Sequence, residues 1–351
     1  MAGFISLGAE TGPGRNAKVY DGLLFELTAK NARDYLRRFH GLDTDSARVE
    51  ELGGGVSNTV LLVEDGNRRL ILKQSLGKLR VAQDWYSDRA RVLREADAIE
   101  HLSAELPPGS LPTVLFHDRE NFAFAMTAAP PGARTWKSLL LEGEVSPAIA
   151  QTIAGMLAAI IRVSRRHVEW QIRFGDQTVF DELRLDPYYR STATRHPELR
   201  SFFDDLIAEC SGRRESLVHG DWSPKNFLVA GGGAVMAIDF EVIHYGNPAF
   251  DAAFLLNHLL LKCFFKPACA ELYRAAAEQF WSTLFAEAPG MNWLEASTIR
   301  QLGGLMLARI DGKSPVEYIR SETTQNAIRG FAKQLIHEPP GSVAEVFGRL
   351  R

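Results

Sequence analysis

The chain has 351 residues, and its net charge of −3 comes from 40 basic and 43 acidic residues. This length suits one large domain or two ordinary ones, and 46% hydrophobic with 24% charged residues excludes a disordered or fibrous protein. The charge balance offers no basic surface for a nucleic-acid backbone, so we expect no nucleic-acid partner. Three cysteines are too few for a disulfide framework, so we predict reduced thiols and a cytoplasmic protein.

The first part of the chain predicts a small mixed α/β unit. Residues 1–15 carry four glycines and predict a loose arm. A helix is predicted over 28–40, with Thr28 as its N-cap. Two strands at 60–63 and 70–72 flank a turn that ends in Gly66-Asn67, which indicates a hairpin. A helix over 89–103 and two strands within 113–126 follow, and residues 127–132 then break the regular structure.

Helical periodicity dominates the remainder of the chain. Apolar residues recur at helical spacing from 147 to 164. Further helices are predicted at 199–210, 250–265, 268–285, 291–310 and 315–337, with one hairpin near residue 230. Polar residues interrupt the most apolar stretch, 249–265, so we predict a buried helix there and no membrane span. The pattern predicts an α+β fold with a small mixed lobe and a large, mainly helical lobe.

The strongest chemical signal lies between residues 217 and 241. Strands at 227–229 and 235–238 are joined by a glycine-rich turn, so antiparallel pairing places Asn226 and Asp239 together at the open end of a hairpin. Glu241 falls on the same side if the strand continues, and Asp221 lies on the loop leading in. Such oxygen donors suit a hard divalent cation. We predict Asp221 as a catalytic base and Asn226, Asp239 and Glu241 as Mg²⁺ ligands.

The motif His-Gly-Asp-x-x-x-x-Asn, followed by Asp-x-Glu, resembles the aminoglycoside phosphotransferase family of small-molecule kinases, which includes choline and methylthioribose kinases. The resemblance covers roughly residues 45 to 330. It implies a bilobal protein-kinase-like fold, ATP and Mg²⁺ as cofactors, and γ-phosphate transfer to a hydroxyl of a small metabolite that is sugar-like, an amino alcohol or aminoglycoside-like. We accordingly predict an arm and nucleotide-binding lobe over 1–126, a hinge over 127–132, and a lobe with the catalytic loop, metal site and acceptor pocket over 133–351.

The resemblance also suggests nucleotide contacts in the small lobe. Lys73 ends a strand. The resemblance implies that it contacts the α- and β-phosphates, and we expect it to be an exposed lysine in the cleft. Its acidic partner should lie on the next helix, where periodicity allows Glu95 or Glu100 and the resemblance favours Glu95. A glycine-rich turn would approach the phosphates, and the adenine would contact the hinge backbone. These further nucleotide contacts are predicted at Gly53, Gly54, Gly55, Ser57 and Asn58 in the turn, and at Met126, Thr127 and Ala128 in the hinge.

Several alternatives remain open from the sequence. The segments 72–80 and 238–241 resemble methylthioribose kinase specifically, whereas Asn226 and residues 222–225 look more like the broader family. A non-catalytic pseudokinase and a metal-dependent hydrolase are the rivals from other classes. Arg309 is predicted to form a surface salt bridge, although it would also reach an anionic acceptor, and Ser314 is predicted to begin the helix over 315–337. The acceptor, the role of Lys225 and the choice between monomer and homodimer stay undetermined.

Overall fold

The computed structural model describes residues 24–42, 46–53, 55–66, 68–81, 84–288 and 290–350. The arm predicted over 1–15 and the turn residues Gly54 and Asn67 lie outside this part of the chain.

An antiparallel sheet forms the small lobe, and its strands lie in the order β1-β2-β3-β5-β4. Alternate residues of a strand face opposite sides. Leu72 therefore packs with Leu61 and with Tyr35 of the first helix, while Ile71 and Phe124 pack on the other face with the second helix. The elements are α1 (Ala32–His40), β1 (Arg48–Glu51), β2 (Asn58–Asp65), β3 (Arg68–Ser75), α2 (Arg91–Ser103), β4 (Val114–Asp118) and β5 (Ala123–Thr127).

The first helix begins later than predicted. The backbone amide of Thr28 donates to Asn31 Oδ1 at 2.8 Å, and the amide of Asn31 donates to Thr28 Oγ1 at 3.3 Å. These reciprocal bonds form a turn that competes with helix formation. Thr28 therefore belongs to that turn, and the helix starts at Ala32.

Helices make up most of the large lobe. The apolar helix α9 is buried over nearly its whole length and packs against α10 and α11, as expected for a helix that is hydrophobic on all sides. The elements are β6 (Arg134–Thr135), α3 (Trp136–Glu142), α4 (Pro147–Ser164), α5 (Trp170–Arg173), α6 (Thr178–Phe180), a π-helix (Asp181–Arg190), α7 (Ser191–Arg195), α8 (Arg200–Gly212), β7 (Ser216–Val218), β8 (Phe227–Val229), β9 (Val235–Ala237), β10 (His244–Gly246), α9 (Ala249–Phe265), α10 (Ala270–Glu287), α11 (Leu294–Asp311), α12 (Glu322–His337) and α13 (Val343–Gly348).

One helix of the large lobe is long and apolar enough to cross a membrane by length and composition. This helix is α4, and 56% of it is buried inside the fold, where it packs against α10. Burial against another helix of the same lobe accounts for its apolar composition.

The end of the large lobe differs from the prediction. Helix α12 begins at Glu322, and the hydroxyl of Ser321 accepts the capping hydrogen bond from the amide of Thr324. Ser314 therefore starts no helix. Its hydroxyl instead accepts a hydrogen bond from Arg309 Nη1 at 3.0 Å.

Candidate active site

The loop between β7 and β8 is held by one buried aspartate. Asp251, in the first turn of α9, accepts hydrogen bonds from the amides of His219 at 2.6 Å and Gly220 at 2.9 Å. His219 Nδ1 accepts from the amide of Asp221 at 3.1 Å, so its other ring nitrogen carries the proton and donates to the carbonyl of Ile238 at 3.0 Å. These bonds join the loop to the end of the β8–β9 hairpin.

Asp221 is buried between two cations. Arg184 Nη2 lies 3.0 Å and Lys225 Nζ lies 2.8 Å from the same oxygen, Oδ2. Burial alone would raise the pKa of Asp221, but the charges of Lys225 and Arg184 outweigh it and hold this pKa well below its usual range. Asp221 is therefore a carboxylate at neutral pH. For each cation the closest oxygen of this carboxylate is Oδ2 rather than Oδ1.

The hairpin brings Asn226 and Asp239 to this loop. Strands β8 and β9 are antiparallel, and the amide of Ile238 donates to the carbonyl of Asn226 at 3.0 Å. Asn226 Nδ2 donates to the carbonyl of Asp221 at 2.9 Å, which directs its amide group toward the loop. Asp239 has a φ of 69°, a left-handed conformation that is uncommon outside glycine and is concentrated at functional sites.

Lys73 links the two lobes. Its Nζ lies 2.7 Å from Glu95 Oε2 and 2.5 Å from Asp239 Oδ1. Glu100, the other glutamate allowed by periodicity, instead contacts His117. Lys73 is only 3% exposed, so the expectation of an exposed cleft lysine is wrong. The strand carries this residue into the lobe junction, where two carboxylates replace its hydration.

The charges around Lys73 influence one another strongly. Burial lowers the pKa of Lys73, but the charges of Asp239 and Glu95 outweigh burial and raise it. Burial raises the pKa of Glu95 to about 7, although Lys73 opposes this effect. Burial also tends to raise the pKa of Asp239, which Lys73 and Lys225 nevertheless hold below its usual value.

Glu241 has different partners from those predicted. Strand β9 ends at Ala237, and the left-handed residue Asp239 turns the chain, so strand alternation does not extend to Glu241. Its carboxylate accepts hydrogen bonds from the side chains of Ser57 at 2.6 Å, Asn58 at 2.9 Å and Arg91 at 3.0 Å. The metal role of Glu241 stays a prediction, while in this structure its carboxylate is bound by the small lobe. The structure also directs the Ser57 and Asn58 side chains to this carboxylate.

The remaining residues predicted to contact the nucleotide would do so through their backbone. Gly53 and Gly55 have space around them in the turn between β1 and β2, while Gly54 is outside the described residues. Met126 and Thr127 end β5, where Met126 is buried. The amides of Thr127 and Ala128 donate to carbonyls of Thr113 and Arg69. The phosphate and adenine contacts of these segments stay predictions.

The sequence interpretation missed two buried arginines. Arg91 donates to Glu241 and to the carbonyl of Leu76 at 2.9 Å, and Arg184 contacts Asp221 from the π-helix. Their sequence neighbourhoods carry no motif. The only available signal was the surplus of carboxylates around residues 221–241, because buried carboxylates require cationic or hydrogen-bonding partners.

Replacement of Gly220 should disturb this loop. Gly220 has a φ of 75°, and an added Cβ would lie 2.7 Å from Val242 Cγ1. We expect Gly220→Ala to lower the free energy of unfolding by about 2 kcal/mol or more, as measured by urea denaturation. The control is Gly155→Ala in α4, where nothing lies within 4 Å of the added Cβ. An unchanged denaturation midpoint for Gly220→Ala would contradict the described loop conformation.

The loss of stability caused by removing the Lys73 charge should depend on pH. The pKa of Glu95 is already raised to about 7 by burial, and Lys73→Met removes the cation that opposes this rise. A raised folded-state pKa favours folding at low pH and loses that advantage as pH rises through it. We therefore expect Lys73→Met to be more destabilising at pH 8 than at pH 5.5, by about 1–3 kcal/mol.

Urea unfolding of the wild type and the variant at both pH values measures this difference. The control is Lys73→Met combined with Glu95→Gln, in which the titrating carboxylate is gone and the extra pH dependence should disappear. Equal destabilisation by Lys73→Met at both pH values would show that Glu95 is not the coupled group.

A family profile and a curated relative both place this chain among phosphotransferases. The profile of the phosphotransferase enzyme family matches residues 48–289. A methylthioribose kinase from Bacillus cereus (strain AH820) is 27% identical over 267 residues, which cover 68% of this chain. The match spans 66% of the length of that curated relative.

Solved structures share the fold. An amicoumacin kinase in complex with AMP-PNP, Ca²⁺ and Ami superposes with a TM-score of 0.55 at 17% identity, covering 83% of this chain and 89% of that one. An ethanolamine kinase from Plasmodium vivax superposes with a TM-score of 0.54 at 13% identity, covering 91% and 93%. The bilobal kinase-like fold predicted from the sequence is confirmed, and the chain belongs to the phosphotransferase enzyme family.

Proposed function

We propose that the protein is a cytoplasmic, ATP-dependent kinase that transfers the γ-phosphate to a hydroxyl group of a small molecule. The observation that carries this proposal is the contact of Lys73, from the small lobe, with Asp239 beside the loop of Asp221. Elements far apart in the chain thereby bring two groups together. One is a cation that would bind phosphate, and the other is an ionised carboxylate that would accept a hydrogen bond. In this proposal residues 1–126 hold the nucleotide, 127–132 form the hinge and 133–351 supply the catalytic loop and the acceptor pocket.

Asp221 is the base in this proposal. Both cations contact Oδ2, so Oδ1 is the oxygen that accepts the hydrogen bond of the acceptor hydroxyl. As the hydroxyl oxygen forms its bond to the γ-phosphorus, the bond from that phosphorus to the β–γ bridging oxygen breaks and ADP leaves. The hydroxyl proton passes to Asp221. The low pKa of Asp221 fits an orienting carboxylate that takes the proton late and releases it readily to water.

The residues near Asp221 also fit Mg²⁺. Asn226 Oδ1 and the carboxylate of Asp239 are hard oxygen donors at the end of one hairpin, the ligand type that this cation prefers. Bound there, Mg²⁺ would neutralise charge on the phosphates. Lys73 would exchange its present contact with Asp239 for phosphate oxygens, while Glu95 keeps it oriented. Glu241 serves in this proposal to anchor Arg91 and the turn before β2.

Methylthioribose is the acceptor that the relatives favour, since the methylthioribose kinase is 27% identical over 68% of this chain. The pseudokinase alternative is disfavoured because Lys73, Asp221, Asn226 and Asp239 are all present and adjoin one another. A hydrolase centred on residues 219–241 would need no lysine from the small lobe, whereas Lys73 contacts Asp239 directly. Release of ADP that depends on an acceptor separates the kinase from the hydrolase.

Asp221→Asn should keep MgATP binding and lose phosphoryl transfer. The loss of a general base lowers the rate by about 10²–10⁴-fold, while the carboxamide keeps the shape of the side chain. We would measure ADP formation with the acceptor that the wild type turns over, chosen from a panel of methylthioribose, choline, ethanolamine, streptomycin and anionic metabolites, and MgATP affinity by calorimetry. Asp204→Asn, at an exposed position of α8, is the control. A turnover of Asp221→Asn within about threefold of wild type would exclude Asp221 as the base.

A further inference from the structure

Two buried cations of the large lobe lack a carboxylate partner. Lys262 of α9 is fully buried and Arg309 of α11 is 9% exposed. Among the described residues neither forms a salt bridge, and their hydrogen bonds go to neutral groups. Lys262 Nζ donates to the carbonyl of His258 at 3.1 Å, and Arg309 Nη1 donates to Ser314 Oγ at 3.0 Å and Tyr188 Oη at 3.3 Å. The surface salt bridge predicted for Arg309 is therefore wrong.

Unused hydrogen-bond donors surround these cations. Arg309 Nε and the hydroxyl of Tyr318 are buried without a partner in the described structure, and Lys262 Nζ lies 5.2 Å from the centre of the Tyr318 ring. Burial, with the positive charges of Lys137 and Arg309, lowers the pKa of Lys262 to about 7. We call Lys262, Arg309 and Tyr318 the cationic cluster.

Stability gives no reason to keep such a cluster. A buried charge without a counter-charge is costly, and a buried donor without an acceptor adds to the cost. The carboxylate of Glu317 contributes to the field at Lys262, but it is bound by Lys137 at 2.5 Å and its side chain is 61% exposed. An anion within the cluster would satisfy both cations and the unused donors.

The cluster adjoins the proposed base. Two arginines contact the Tyr188 ring. The guanidinium carbon of Arg184 is 5.8 Å and that of Arg309 is 5.5 Å from the ring centre. Arg184 in turn contacts Asp221. The charges of Arg309, Lys262 and Asp221 all act on the buried imidazole of His258. The cluster is thus connected to Asp221 through Tyr188 and Arg184, within the large lobe.

Resting on the proposed kinase function, we propose that the acceptor carries an anionic group, a carboxylate or a phosphate ester, which Arg309 and Lys262 bind while Asp221 receives its hydroxyl. Arg309 suits this role because its planar guanidinium forms paired hydrogen bonds with carboxylate and phosphate oxygens. Tyr318 would donate its hydroxyl to the same anion. This assignment disfavours methylthioribose, which carries no anionic group.

A polycationic acceptor finds less support. An acidic cavity of about 250 Å³ does lie between the small-lobe segment 84–86 and the π-helix of the large lobe. Each of its three aspartates contacts a basic side chain. These contacts are Asp84 with Lys78, Asp181 with Arg190, and Asp186 with Lys313. Among the described residues only Glu182 of its lining acids has no cationic partner, so a single uncompensated carboxylate remains for a ligand with several positive charges.

The test uses the full chain and a cell metabolite extract separated by ion exchange into anionic, neutral and cationic fractions. Each fraction is incubated with enzyme, Mg²⁺ and ATP labelled on the γ-phosphate, and label in products other than inorganic phosphate is counted. We expect labelled product from the anionic fraction. Product from the neutral or cationic fraction alone would overturn the proposal. No product from any fraction, with MgATP binding intact, would instead refute the kinase function on which it rests.

Phosphatase treatment of the anionic fraction before the assay separates the two sources of charge, because it removes phosphate esters and spares carboxylates. Arg309→Gln and Lys262→Met should raise the KM for the active fraction by about tenfold to a hundredfold, the loss expected for a hydrogen bond to a charged group. MgATP affinity should not change. Arg309→Lys keeps the positive charge but loses the planar pair of donors. Its KM should therefore lie between those of the wild type and Arg309→Gln.

Arg300→Gln is the matched control, because Arg300 lies on the exposed face of the same helix. Below pH 7, where Lys262 is protonated, neither test variant should unfold at a lower temperature than wild type, since each then removes an uncompensated buried charge. A purely structural cluster would give the opposite pattern, with lower thermal stability and an unchanged KM, and that result would overturn the proposal.

Discussion

The buried ion pairs between the two lobes are the constraint on which the rest of the site depends. Lys73 contacts Asp239, and Arg91 contacts Glu241, so two residues of the small lobe hold the segment that follows the β8–β9 hairpin. Buried pairs of this kind seldom add net stability, because desolvation offsets much of their attraction. Their presence is better explained by the places in which they hold the charged side chains. They fix a cation of the sheet beside the loop that carries Asp221, where the proposed kinase function requires a phosphate group to bind.

Buried charges are balanced by opposite charges near Asp221 but not around Lys262 and Arg309. This difference separates two parts of the site. The carboxylates of Asp221, Asp239 and Glu241 each have a cation within contact distance, whereas Asp251 is bound by two backbone amides. The charges of Lys225 and Arg184 keep Asp221 ionised. Deeper in the large lobe the balance reverses, because Lys262 and Arg309 are buried and form no salt bridge within the described ranges of the chain. A ligand with a negative group at one end and a hydroxyl at the other would complete this distribution. The proposed acceptor thus follows from the same electrostatic reasoning as the proposed base.

Local patterns predicted much of the fold, and long-range contacts account for what they missed. Apolar spacing gave α4 its bounds of 147–164, and a glycine-rich turn between two short apolar runs predicted the β8–β9 hairpin. The π-helix over Asp181–Arg190 went unpredicted because Pro187 lies inside it, and proline normally ends a helix. The small-lobe partners of Glu241 went unpredicted because strand alternation does not extend past the left-handed residue Asp239. Arg184 and Arg91 have partners far away in the chain, which no local pattern specifies.

The central claim is that Lys73 and Asp239 act on one phosphate group from opposite lobes. A double-mutant cycle of Lys73→Met, Asp239→Ala and the combined variant, with MgATP affinity measured by calorimetry, tests this claim most directly. We predict that each single change weakens binding and that the combined loss is smaller than the sum, with a coupling energy of about 1 kcal/mol or more. Additive losses, or an unchanged affinity for Lys73→Met, would contradict the account.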